Sequence, residues 1–208
     1  MNINTLAKLT LFGLAYIYTA KLIDTLFHGI FRPAALAAPV VGLNILAGLV
    51  QLIFFITLYR QFVPKDKLTL QVAAWFAIIG STLGLLPKLL AMNILFQQQS
   101  LFFFIRLNTQ IKAFCPWLAA VLLLAFSLIF FFDYRFGPDK SLKYGFAAGT
   151  VGWFIMAAAQ SLVVLNYLDV KRLIWLADLF AAGPIVFVTA SSLTFLSLSI
   201  FYLTFARH

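Results

Sequence analysis

Long stretches without a charged residue constrain this chain more than any other feature. From Ala113 to Phe132, twenty consecutive positions carry no acidic or basic side chain. About 20 apolar residues at roughly 1.5 Å each cross a hydrocarbon core about 30 Å thick. Similar runs recur, separated by short turns that hold the charge. Only 10% of the 208 residues are charged and 63% are hydrophobic, against about 25% charged in a soluble domain. One core of this size cannot hide so much apolar surface from water, and a disordered chain would need the opposite composition. The expected fold is an all-α, polytopic transmembrane helical bundle of about six spans, forming one integral membrane domain over residues 1–208.

The spans read as Thr5 to Phe27, Ala34 to Phe62, Leu68 to Leu90, Ala113 to Asp133, Tyr144 to Tyr167, and a last apolar block from Leu173 to Thr204. The last block is longer than one crossing needs, and Gly183-Pro184 marks a kink or the true start of the span within it. Lys8 followed by an apolar run resembles the start of a signal peptide. The run leads into Lys21 and Asp24 without a small-residue cleavage site, so it reads as a retained first span. Between spans three and four, residues 91–112 combine Gln97-Gln98-Gln99, the apolar Leu101 to Ile105, and the polar Arg106, Asn108, Thr109, Gln110 and Lys112. That pattern suits an amphipathic helix lying in the membrane interface.

The turn after span two, Tyr59 to Lys67, shares Tyr, Arg, Phe, Pro, Asp and Lys in the same order with Tyr134 to Lys140 after span four. A two-helix repeat, spans two-three against four-five, would account for it. So would convergence of two tight turns on one membrane face. With six spans, the side holding both termini carries Lys8, Arg60, Lys65, Lys67, Arg135, Lys140, Lys143 and Arg207. The other side carries Lys21, Arg32, Lys88, Arg106, Lys112, Lys171 and Arg172. This small bias places both termini in the cytoplasm, with the plasma or inner membrane as host.

Fifteen Lys and Arg against six Asp and no Glu give a net charge of +9. The cations are spread one to three per loop, so the bilayer's anionic headgroups are their expected counter-charge, and nucleic acid is not an expected partner. The single Cys115 cannot form an intramolecular disulfide and reads as a small buried hydrophobe.

Ionisable and amide groups inside a bilayer are costly and often functional, which makes seven residues candidates. Lys21 and Asp24, three apart, share a face of span one, where they can neutralise each other or simply sit at the span end. Lys88 follows Pro87 near the end of span three and is expected to snorkel outward. Asp178 is interfacial if the last span starts near Pro184 and buried if it starts at Leu173. Asn44 and Gln51, seven apart, lie on one face of span two, and Gln160 lies deep in span five. These amides can line a shared cavity, or join helices by hydrogen bonds of about 0.6 kcal/mol each. Ala157-Ala158-Ala159 with Gly145, Gly149 and Gly152 offers a smooth face for close helix packing, within the chain or against a partner.

His28 and His208 both fall at membrane edges, which argues against a bis-histidine haem. The sequence has no His-Glu-x-x-His, carboxylate cluster, nucleophile elbow or phosphate-cradling glycine loop, and no cofactor or metal is expected. Two readings follow. One is a non-catalytic accessory or scaffold subunit that binds protein partners, a second copy of itself, or lipid. The alternative is a small-solute transporter or its membrane substrate-binding component, which requires a polar cavity near midplane reached by Gln51 or Gln160.

Overall fold

A computed structural model describes residues 2–26, 37–96, 102–134, 139–168 and 184–207. They form six helices: α1 (Ile3–Leu26), α2 (Ala37–Phe62), α3 (Leu68–Phe96), α4 (Phe102–Tyr134), α5 (Lys140–Tyr167) and α6 (Pro184–Ala206). Five of them contain stretches long and apolar enough to cross a membrane: Pro39–Phe62, Leu68–Leu90, Thr109–Tyr134, Lys140–Leu165 and Val188–Ala206. The 24-residue α1 is long enough but is diluted by Lys8, Lys21, Asp24 and its Asn, Thr and Tyr residues.

Helix ends follow local chemistry. Asp139 caps α5: its Oδ1 accepts from the Ser141 and Leu142 backbone N–H groups at 3.0 and 3.3 Å and from the Ser141 hydroxyl at 2.8 Å. Such a cap satisfies donors that have no intrahelical partner. The start of α3 has no capping carboxylate of this kind. There the Lys67 carbonyl accepts from Leu70 and Gln71, and the Gln71 amide donates to the Lys65 carbonyl at 2.6 Å. Proline opens α6, where the missing N–H costs nothing and φ is already helical. The segment 102–112, expected in a separate interfacial helix, instead forms the first turns of the 33-residue α4. Helix propagation adds a hydrogen bond per residue, so a segment leading without a break into a span extends that span rather than nucleating a new helix. Pro87 and Pro116 stand inside α3 and α4, each removing one backbone bond.

Backbone contacts run from each helix to the next and close from α6 back to α1. The six helices therefore form an up-and-down ring in which every neighbour is antiparallel. One end, the turn end, carries the start of α1, the 63–67 turn, the end of α4, the start of α5 and the end of α6. Long side chains span the interior that the backbones leave open. Phe54 on α2 meets Tyr202 on α6 with ring centroids 5.1 Å apart, Phe55 meets Phe126 on α4 at 5.3 Å, and Phe126 meets Phe201 at 6.3 Å. Phe146 on α5 contacts Phe126, Phe130, Tyr134, Phe201 and Phe205. These rings are almost wholly edge-to-face or tilted, which suits their quadrupoles. At about 1.5 Å per residue they occupy roughly the first 12 Å from the turn end.

Small residues set how closely the helices approach. A Cβ on Gly145 would lie 2.8 Å from the Thr204 Cβ, one on Gly149 would lie 2.9 Å from the Phe201 ring, and one on Gly152 would lie 2.8 Å from Leu198. The α5 glycine face is therefore consumed by α6 inside the chain and is not available to a partner. Ala158 and Ala159 remain exposed.

Candidate functional site

Asn44, Gly48 and Gln51 stand at i−4, i and i+3 on α2, so they share one stripe of the helix. Gly48 lies 14 residues from the end of α2, roughly 21 Å from the turn end. The Lys88 side chain crosses from α3 onto this stripe: its Nζ lies 3.4 Å, and its Cδ 3.8 Å, from where a Cβ on Gly48 would sit. Lys88 itself is twenty residues into α3, roughly 30 Å from the turn end. Its chain lies against α2 at Gly48, where the missing side chain leaves room.

Gln51 is half-buried and lies beside the Tyr202 hydroxyl, close enough to interact but outside good hydrogen-bond geometry. Tyr202 is 1% exposed and Phe54 packs against its ring. On the same face of α6, Ser192 receives Tyr18 of α1: the two hydroxyls are 2.8 Å apart, and the Tyr18 ring stacks on Phe195 at 4.6 Å. Positions 192, 195, 199 and 202 follow helical spacing, so Ser, Phe, Ser and Tyr form one stripe facing the α1–α2 side.

Most hydroxyls in these helices return their proton to the carbonyl four residues earlier, as Thr10, Thr57, Thr82, Ser161, Ser192 and Thr204 do at 2.7–2.9 Å. The buried Oγ atoms of Ser81, Ser127 and Ser199 do not, and neither the Trp153 Nε1 nor the Tyr202 hydroxyl has a hydrogen-bond partner. Unpaired buried polar atoms carry a desolvation cost of about 1–3 kcal/mol each. Of these, Ser127, Ser199 and Tyr202 lie among the packed rings, within roughly the first 12 Å from the turn end. Sequence reasoning missed Tyr202, Ser199, Ser127 and Trp153 because hydroxyls and indoles are common in membrane helices. The Ser-Phe-Ser-Tyr spacing on α6 was the available signal.

Gln160 is not part of this arrangement. It is half-buried on α5, roughly 30 Å from the turn end against roughly 16 Å for Gln51. Its neighbour Ser161 accepts from the Trp117 indole at 3.0 Å, an α4–α5 brace. Lys21 and Asp24 belong to the last two turns of α1. Their side chains, and all of Asp178, lie outside the described residues.

At the turn end, Lys67 and Asp133 pair at 3.0 Å through both carboxylate oxygens. Lys67 precedes the positive end of α3 and Asp133 closes the negative end of α4, so each charge is unfavourably placed on its own helix. Pairing across the two helices offsets both. The bond to Asp133 is the main reason the Lys67 pKa stands above its ordinary 10.5. Two shallow hollows flank the ring. One of about 190 Å³ is lined by Tyr59, Arg60, Val63, Lys65 and Gln71 at the turn end. The other, of about 290 Å³, is lined by Thr109, Lys112, Ala113, Val163 and Tyr167 at the opposite end. Among the described residues, no three His, Cys, Asp or Glu side chains converge. Comparison with protein-family models, with curated proteins and with solved structures gave no match.

Proposed function

We propose that this chain is a non-catalytic integral membrane protein that acts by binding, as an accessory or scaffold subunit contacting protein partners and lipid. One observation carries the reading: the interior of the helix ring is filled at its turn end by packed aromatic side chains from α2, α4, α5 and α6. Close-packed rings over roughly 12 Å leave a solute no aqueous path through that end. The outer surface, by contrast, presents Phe12, Phe132, Phe154 and Leu196 at 56–74% exposure, a perimeter suited to lipid tails or to another membrane helix. Both termini on the cytoplasmic side of a plasma or inner membrane complete the proposal. Native mass measurement from mild detergent tests it. The expected result is a species heavier than the 23.3 kDa chain by a retained protein or lipid, and a bare monomer under every mild condition overturns it.

A second reading, a small-solute transporter, is favoured by Gln51 beside Tyr202 and by Lys88 lying against α2 at Gly48. Swelling of proteoliposomes in glycerol, urea or sugar would reveal it. Flux that disappears in Gln51→Ala would replace the binding reading.

A further inference from the structure

We propose that the hollow between the ends of α2 and α3 is a binding site for the headgroup of an anionic phospholipid. The proposal rests on the reading of this chain as a lipid-contacting module and names the lipid class and the place. Arg60 and Lys65 line the hollow and are exposed. Tyr59 and Gln71 supply a phenol and an amide beside them. Lys65 does not hang from a loose loop: Gln71 donates to its backbone carbonyl at 2.6 Å and to that of Pro64 at 3.5 Å. The two cations are thus presented from a helix end and a braced turn, which limits the ordering entropy that binding must overcome.

The surface continuing from the hollow toward the bilayer interior is apolar and open. On α2, Arg60, Ile53 and Leu49 follow at helical spacing, and on α3, Gln71, Trp75 and Ile79 do the same. Ile53, Leu49, Trp75 and Ile79 are 39–51% exposed. The Trp75 ring leans on Tyr59 with centroids 5.8 Å apart, joining the polar hollow to the apolar track. Cations at interfacial depth above such a track match an amphiphile with a negative head and acyl tails. Free inorganic phosphate would use the cations and leave the track empty. No acidic side chain lines the hollow, so nothing within it opposes an anion.

The test uses the full chain in vesicles of phosphatidylcholine and phosphatidylglycerol in equal amounts, with bromine on the acyl chains of one lipid at a time. Bromine quenches tryptophan at short range, and Trp75 stands on the track. Quenching should be stronger when phosphatidylglycerol carries the bromine, and the excess should vanish in Trp75→Phe. One surface cation is worth about a fivefold preference, so Arg60→Gln with Lys65→Gln should remove a preference of up to roughly 25-fold. The control Lys8→Gln with Lys140→Gln, exposed cations at the same end, should keep it. Far-ultraviolet circular dichroism verifies that each variant folds. Equal quenching by both brominated lipids, preference surviving in the Arg60 and Lys65 variant, or competition by millimolar inorganic phosphate overturns the proposal. Solute flux with the lipid preference intact would overturn the parent reading and leave this site standing.

Discussion

Gly145 offers the sharpest test of how α5 and α6 are packed. An alanine Cβ at this position would lie 2.5 Å from the Thr204 Oγ1, 2.8 Å from its Cβ and 2.9 Å from its Cγ2. Rotating Thr204 about χ1 moves its Oγ1 and Cγ2 but leaves its Cβ in place. It would also sacrifice the 2.9 Å bond from the Thr204 hydroxyl to the Ile200 carbonyl. Relief therefore requires the two backbones to part by about 0.8–1 Å to reach normal carbon–carbon contact. Such overpacking costs about 1–3 kcal/mol, offset by the 0.5–1 kcal/mol that alanine gains over glycine inside a helix. The net expectation for Gly145→Ala is a loss of about 1 kcal/mol. Gly42 on α2 is the control, because a Cβ there meets nothing within 4 Å, so Gly42→Ala should gain about 0.5–1 kcal/mol. Equilibrium unfolding in mixed micelles, followed by far-ultraviolet circular dichroism and tryptophan fluorescence, resolves a difference near 2 kcal/mol, about thirtyfold in the unfolding constant. Equal stability of the two variants would refute the close α5–α6 approach.

Three further outcomes are expected. Asp139→Ala should lower stability by about 1 kcal/mol in the same unfolding assay, while Asp139→Asn retains most of the cap. Lys67→Gln should weaken the tie between the 63–67 turn and the end of α4 more in low salt than in high salt. Because the Lys67 pKa is raised chiefly by Asp133, the pair's contribution is complete below the ordinary lysine value and is lost as pH rises through the raised one. The wild-type-minus-variant difference should thus stay flat from about pH 6 to 9 and shrink only in stronger alkali. Tyr18→Phe removes the hydroxyl contact to Ser192, which still donates to Val188 at 2.7 Å. A loss near 0.6 kcal/mol is expected, rising in Tyr18→Ala as the stack on Phe195 goes. A loss of 2 kcal/mol or more in Tyr18→Phe would mean that Ser192 depends on Tyr18 alone.

The helices themselves were legible because a bilayer admits few solutions: backbone polar groups must be satisfied within the segment. Leu68 begins α3 and Phe62 ends α2 as the Pro64 turn predicts, and Pro184 opens α6 as the Gly183-Pro184 pair suggests. The segment from Phe102 to Lys112 was harder, since an apolar Phe-Phe-Phe-Ile run followed by a mostly polar stretch fits both an interfacial helix and an extension of α4. Periodicity reports which faces differ, not what a segment is joined to.

Placement in three dimensions was the part hidden from the sequence. That Gly145, Gly149 and Gly152 form a smooth face could be read from their spacing, but only packing assigned that face to α6 rather than to a partner. Asn44 and Gln51 were recognisable as a polar stripe, yet the arrival of Lys88 from α3 and of Tyr202 from α6 depends on contacts between helices distant in the chain. Gln51 and Gln160 look equivalent along the sequence and lie at different depths on different helices. Charge-free runs and turn chemistry, acting over a few residues, determined that this chain is a membrane helical bundle. Ring closure of α6 onto α1, the aromatic filling of its interior and the contact of Lys88 with α2 were decided by tertiary structure, because each follows from which helices stand side by side.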